Sequence, residues 1–111
     1  MGSKWVIIPF EIFITYISWG NDGKNRPVLA LMLEGDSVFI YPVTTQYKNK
    51  SEAVKKRYFK MNDWHQAGLA RQSYINTSTL IKIPLSAIEN KKPIGRLSIE
   101  DKQRFLEFLL K

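Results

Sequence analysis

The stretch "RPVLALMLEGDSVFIYPV", residues 26–43, decides how this chain folds. Two runs of apolar and β-branched residues, 26–33 and 37–43, flank the turn-forming triplet Glu34-Gly35-Asp36. Such runs fit a pleated, half-buried surface, and a glycine between them supplies the backbone freedom a tight reversal needs. The stretch therefore predicts an antiparallel hairpin. Pro27 and Pro42 cannot donate to a ladder, so Pro27 is expected at the start or edge of its strand, and Pro42 where pairing ends. The hairpin also returns residue 44 to roughly the level of residue 26. Arg26 and Thr44 are thereby expected at one end of the sheet.

Upstream, "FEIFITYISW" (10–19) is rich in β-branched and aromatic residues and reads as another strand, followed by the turn chemistry of "GNDGKN" (20–25). Downstream, "TTQYKNK" reads as a loop and "SEAVKKR" as a helical turn capped by Ser51. "RYFKM" is a further strand, "NDWHQAG" a helical turn ended by Gly68, and residues 73–84 hold one or two strand pieces. "PLSAIEN" reads as another helical turn. The terminal "SIEDKQRFLEFLLK" is a helix, with Ser98 as cap, Asp101 imitating a capping box, and Phe105, Leu106, Leu109 and Leu110 as its apolar face. No repeat, linker or low-complexity segment interrupts this pattern. It predicts one domain over residues 1–111, mainly β with small helices: a small, strongly curved β-barrel with helices packed on it.

Composition narrows the chemistry. The chain has 111 residues, enough for one modest core, and is 44% hydrophobic and 24% charged, as a globular domain is. It has no cysteine, which excludes disulfides, thiolate metal sites and cysteine nucleophiles and suits a reducing compartment. The opening residues are too interrupted by Pro9, Glu11 and polar side chains for a membrane span, lack a small-residue cleavage site, and place Val6 where a myristoylation signal needs a hydroxyl. His65 is the only histidine, so no histidine pair can do acid–base work, and the scattered carboxylates form no metal-ligand spacing. Neither a metal nor another cofactor is expected. "GNDGKN" has glycines but lacks the strand–loop–helix setting of a phosphate loop.

The net charge of +7 is unevenly spread. Residues 1–46 carry three basic and four acidic side chains, whereas residues 47–72 carry seven basic and two acidic. Tyr47, Tyr58, Phe59 and Trp64 interleave that basic segment. Cations among aromatics suit a phosphate backbone with bases to stack on, and equally a solvated lysine-rich loop. Catalysis by the groups that remain would rest on Arg, Thr, Ser, Tyr or Gln. RNA cleavage suits such a set, because RNA carries its own nucleophile, the 2′-hydroxyl; the protein need only hold it in line and stabilise charge on phosphorus. By geometry alone, Arg26 capping a strand and Thr44 bonding a turn is the plainer reading.

At these residues the chain resembles the MazF/PemK-like toxins of bacterial toxin–antitoxin modules. "GKNRPVLAL" is similar to that family's Gly-x-x-Arg-Pro entering an apolar strand, and "YPVTTQ" to its strand ending in Thr-Thr-Gln. "PIGRLSIEDKQRFLEFL" looks like its turn into the last helix, and "AGLARQSYI" like a Gly-Leu…Ser-Tyr segment of some members. The resemblance covers roughly residues 10–110. It implies an SH3-like barrel with a C-terminal helix, usually a homodimer, in the cytoplasm. The implied activity is metal-independent, sequence-specific cleavage of single-stranded RNA to a 2′,3′-cyclic phosphate and a 5′-hydroxyl. Arg26 and Thr44 would be the catalytic pair, and Lys24, Thr45, Gln46, Lys48, Lys50, Ser73 and Tyr74 would line the RNA groove. An acidic, partly disordered antitoxin would be the protein partner. The chain departs from the pattern where some members place a glutamate, here Asn21 and Asp22, and where Pro9-Phe10-Glu11 replaces the usual Gly-Asp. Two other readings stay open: a topoisomerase-inhibiting toxin on the same fold, and a non-catalytic nucleic-acid-binding barrel.

Overall fold

A computed structural model describes residues 8–19 and 21–111. The readings of the opening residues and of Gly20 within its turn lie outside the described residues. The fold is mainly β: one antiparallel sheet, curled into a small barrel-like shell, with a helix at its C-terminal end. The strands are β1 (Glu11–Trp19), β2 (Asp22–Glu34), β3 (Ser37–Thr44), β4 (Tyr58–Lys60), β5 (Tyr74–Asn76), β6 (Ile81–Pro84) and β7 (Gly95–Arg96). Their order is β4-β5-β3-β2-β1-β7, with β6 also paired to β3. Two helices, α1 (Glu52–Lys55) and α2 (Ile99–Leu109), and a 3-10 turn (Leu85–Ala87) complete the chain. Among the described residues no helix is long and apolar enough to cross a membrane.

The central hairpin forms as its sequence dictates. Gly35 turns it with φ +59°, and nothing stands where a Cβ would go. The ladder runs from Glu34↔Ser37 to Val28↔Pro42, with an irregularity between Ala30 and Met32. Neighbouring residues of these strands are buried on opposite faces: Ile12 and Leu29 join one cluster with Val43, Phe59, Ile75 and Phe105, while Phe13, Val28 and Ala30 join another with Val38, Ile40 and Ile88. A sheet covered on both sides loses clean alternation, which explains the irregular pattern of 10–19. The helix α2 and the 61–69 segment cover one face; β6 and the segment around Ile88 cover the other. Backbones meet closely where the 61–69 segment crosses β7: a Cβ on Gly68 would strike the Ile94 carbonyl, and one on Gly95 the Ala67 carbonyl.

The structure refines several expectations. The turn after β1 is shorter than "GNDGKN", because Asp22–Asn25 already pair with Trp19–Tyr16. The Tyr16 ring lies over Gly23 on the outer face, and such aromatic cover stabilises a glycine that otherwise weakens a strand. Pro27 lies in the middle of β2, opposite Ile14, and takes the edge position of the two expected for it. It is tolerated because β2 has no β3 partner beyond Val28, so that flank of the strand is an edge.

The apolar face of α2 also differs. Phe105 is fully buried against Phe10, Tyr41, Phe59 and Phe108, whereas Leu106, Leu109 and Leu110 are exposed. The inward stripe is Asp101-Phe105-Phe108, one polar residue and two aromatics. Asp101 does not close a capping box. Ser98 Oγ accepts the Asp101 N–H at 3.0 Å, and the Asp101 carboxylate turns away to accept the N–H groups of Asn62 (3.2 Å) and Asp63 (2.7 Å). Arg104 donates to the same carboxylate at 2.7 Å.

Candidate functional site

A proline opens the site. In the ladder register, Arg26 would face Thr44, two steps beyond Val28↔Pro42. Pairing stops at that step, because the next residue of β2, Pro27, would face Val43 but offers no N–H. From there β2 stays with β1 through Thr15↔Arg26, while β3 leaves to pair with β5 through Val43↔Ile75 and Thr44↔Tyr74. The diverging strands open a cleft of about 590 Å³, with Arg26 and Pro27 on one wall and Pro42 and Thr44 on the other. The hairpin thus brings the two expected catalytic side chains to one cavity.

The pairing of β5 with β3 adds a third wall, carrying Arg71 and Ser73, and the loop before α1 adds Lys50. Among the described residues the cleft lining holds four cations, Lys24, Arg26, Lys50 and Arg71, and no carboxylate. An opening lined by one sign of charge concentrates counter-ions, so this cleft favours an anion. No three His, Asp or Glu side chains among the described residues gather as metal ligands would.

Thr44 is oriented. Its Oγ1 accepts the Gln46 N–H at 3.0 Å, the Ser/Thr-turn geometry that hydroxyls favour after a strand. The hydroxyl proton is not used in that bond and can be given to an oxygen in the cleft. Arg26 is half-buried, which limits its rotamers and directs its fork of donors.

Of the expected groove residues, Lys24, Thr45, Gln46, Lys50 and Ser73 line this cleft. Ser73 is buried and donates its hydroxyl to the Arg71 carbonyl at 2.9 Å, holding that arginine's backbone. Lys48 and Tyr74 lie instead on an adjoining depression of about 490 Å³, which shares Thr45, Gln46 and Arg71 with the cleft. Asp22, the departure from the resembled pattern, pairs with Trp19 at the hairpin's end and is not in the cleft lining.

Asn25, Tyr58 and Asn76 also line the cleft without having been singled out as groove residues. Tyr58 and Asn76 arrive through β4 and β5, which pair with each other as Tyr58↔Asn76. The sequence signal for Tyr58 was the aromatic interleaving of the basic segment; Asn76 had none, because nothing local indicates that β5 crosses to β3. His65 is exposed, packs its ring edge-on to Trp64, and lies outside the cleft lining. No family model and no curated protein matches this chain.

Proposed function

We propose that the protein is the toxin of a toxin–antitoxin module, a metal-independent endoribonuclease that cuts single-stranded RNA in the cytoplasm. The observation that carries the reading is the joint presence of Arg26 and Thr44 on one cation-lined cleft free of carboxylates among the described residues. The scissile phosphate sits between them. The ribose 2′-oxygen attacks phosphorus and its proton passes to water. Arg26 holds the equatorial phosphoryl oxygens through its planar fork of donors. Thr44 donates a hydrogen bond from its hydroxyl to one of those oxygens, while the Gln46 N–H holds Oγ1 in place. Lys24 and Lys50 add to the positive field. The P–O5′ bond breaks, the 5′-oxygen takes a proton from solvent, and a 2′,3′-cyclic phosphate remains. A guanidinium gives up its proton reluctantly, so the clamp describes Arg26 better than a general acid does.

The same cleft suits an acidic, extended antitoxin segment, which would block it by matching its charge. A homodimer is the assembly this reading carries.

The test is incubation of purified protein with mixed-sequence single-stranded RNA in excess EDTA. Cleavage that persists in EDTA, gives cyclic-phosphate ends and falls roughly 10²–10³-fold in Arg26→Ala supports the reading. Salt-sensitive binding of RNA that stays intact makes the protein a non-catalytic nucleic-acid-binding barrel instead. Absence of both leaves the topoisomerase-directed toxin.

A further inference from the structure

We infer that the depression beside the cleft seats one unpaired nucleobase carrying an exocyclic amino group, stacked on Tyr74 and read at its edge by Gln72. The inference rests on the reading of the neighbouring cleft as a phosphate site.

The aromatic arrangement is the first ground. The rings of Tyr47 and Tyr74 are parallel within 2° with centroids 4.2 Å apart, and both border the depression. No ammonium fits between rings that close. The Lys55 ammonium, 5.1 Å from the Tyr47 centroid, therefore lies on the outer side of the stack. Tyr58 meets Tyr47 at 6.3 Å and tilts against it. Tyr47 is thus engaged by three neighbours, and the face the pair has left to offer belongs to Tyr74. A backed, rigid ring is a stacking platform that loses little entropy on binding a base.

The second ground is the edge. Gln72 Nε2 donates to the Met61 carbonyl at 2.6 Å and to the Ser73 carbonyl at 3.1 Å. Both partners are acceptors, so the amide has one possible orientation. Its amide nitrogen is engaged by the two carbonyls, which leaves the oxygen as the group Gln72 can offer to the depression it lines. A fixed acceptor favours a base that brings an amino group: adenine N6, cytosine N4 or guanine N2.

The third ground is placement. Thr45, Gln46 and Arg71 border both cavities, so a strand whose phosphate lies by Arg26 and Thr44 reaches the depression with an adjacent nucleotide. Lys48 and Arg71 stand there for its phosphate. In this geometry Tyr74 and Gln72 choose the flanking base, while Arg26 and Thr44 act on whatever phosphate follows.

The experiment uses DNA octamers, which lack the 2′-nucleophile, so binding is read apart from cleavage. The tightest-binding octamer is selected from a random pool, and an abasic residue is moved through it position by position. Fluorescence anisotropy is expected to show one position where base loss weakens binding about tenfold to the unaltered protein but hardly at all to Tyr74→Leu. Tyr74→Phe is expected to keep the full penalty. At that position purine in place of adenine, 2-pyrimidinone in place of cytosine, or hypoxanthine in place of guanine also weakens binding. 2-Aminopurine placed there loses fluorescence on binding the unaltered protein, a readout that requires no variant. Equal base-loss penalties in the unaltered protein and a folded Tyr74→Leu, or unquenched 2-aminopurine, overturn the base seat. A thymine selected at that position overturns the amino-group assignment. A pool from which nothing binds overturns this inference and the phosphate site together. Binding with the expected pattern, but RNA left intact, removes only the nuclease.

Discussion

The buried carboxylate of Asp101 accepts the backbone N–H of Asp63 at 2.7 Å across a sequence separation of 38 residues. The first turn of α2 is thereby tied to the segment that follows β4 and crosses the core. Asp101→Ala leaves the N–H groups of Asn62 and Asp63 without their acceptor and Arg104 without its ion-pair partner. A loss of about 2–4 kcal/mol in unfolding free energy is expected, measured by urea denaturation with circular dichroism. An unchanged midpoint would refute this account of the tie.

Thr44 separates chemistry from folding. Thr44→Val preserves the branched shape that β3 accepts but removes the hydroxyl. Stability should fall by only about 1 kcal/mol, for the lost bond from the Gln46 N–H. RNA cleavage under saturating substrate should fall roughly 10–100-fold, and Thr44→Ser should restore most of it. A Thr44→Val protein that cuts at the original rate would dismiss Thr44 from the reaction.

Salt should act steeply on RNA affinity. Were Lys24, Arg26, Lys50 and Arg71 each to neutralise one phosphate, the slope of log K against log salt would be about −3 for a single strand. Arg71→Ala should flatten it by about 0.7. Titrations between low and moderate salt measure this directly, and a slope near zero would disprove an electrostatic cleft.

Pro27 can be tested by restoring what it lacks. Pro27→Val puts an N–H facing Val43, and a strand-forming side chain, where β2 and β3 part. The ladder is expected to lengthen toward Arg26 and Thr44 and the cleft to narrow. Hydrogen exchange should reveal new protection at residue 27, and cleavage should drop several-fold with no loss of stability. Full activity with no protected amide would show that Pro27 does not set the opening.

Much of this arrangement could be read from the residues, because the central hairpin is local. Apolar runs, a glycine turn and two prolines sufficed to bring Arg26 and Thr44 to one end of the sheet, and the register extrapolates to that pair. The third wall was hidden, because β5 is three residues long and its pairing with β3 spans about thirty residues of chain. The two-residue β7 carries no periodicity at all. The face of α2 was misjudged because Asp101 occupies an inward position that hydropathy assigns to solvent. Phe105 was placed correctly, but Leu106, Leu109 and Leu110 were read beside it where Phe108 is instead.

Pro27 gives the cleft an unusual permanence. Its missing N–H is a matter of covalent structure, so the strands part there without a ligand to wedge them. A ligand entering between them meets walls already set, and spends little of its binding energy on rearranging the host. Variants that alter contacts within such a mould should therefore differ chiefly in how long they hold their ligand, and little in how fast they catch it.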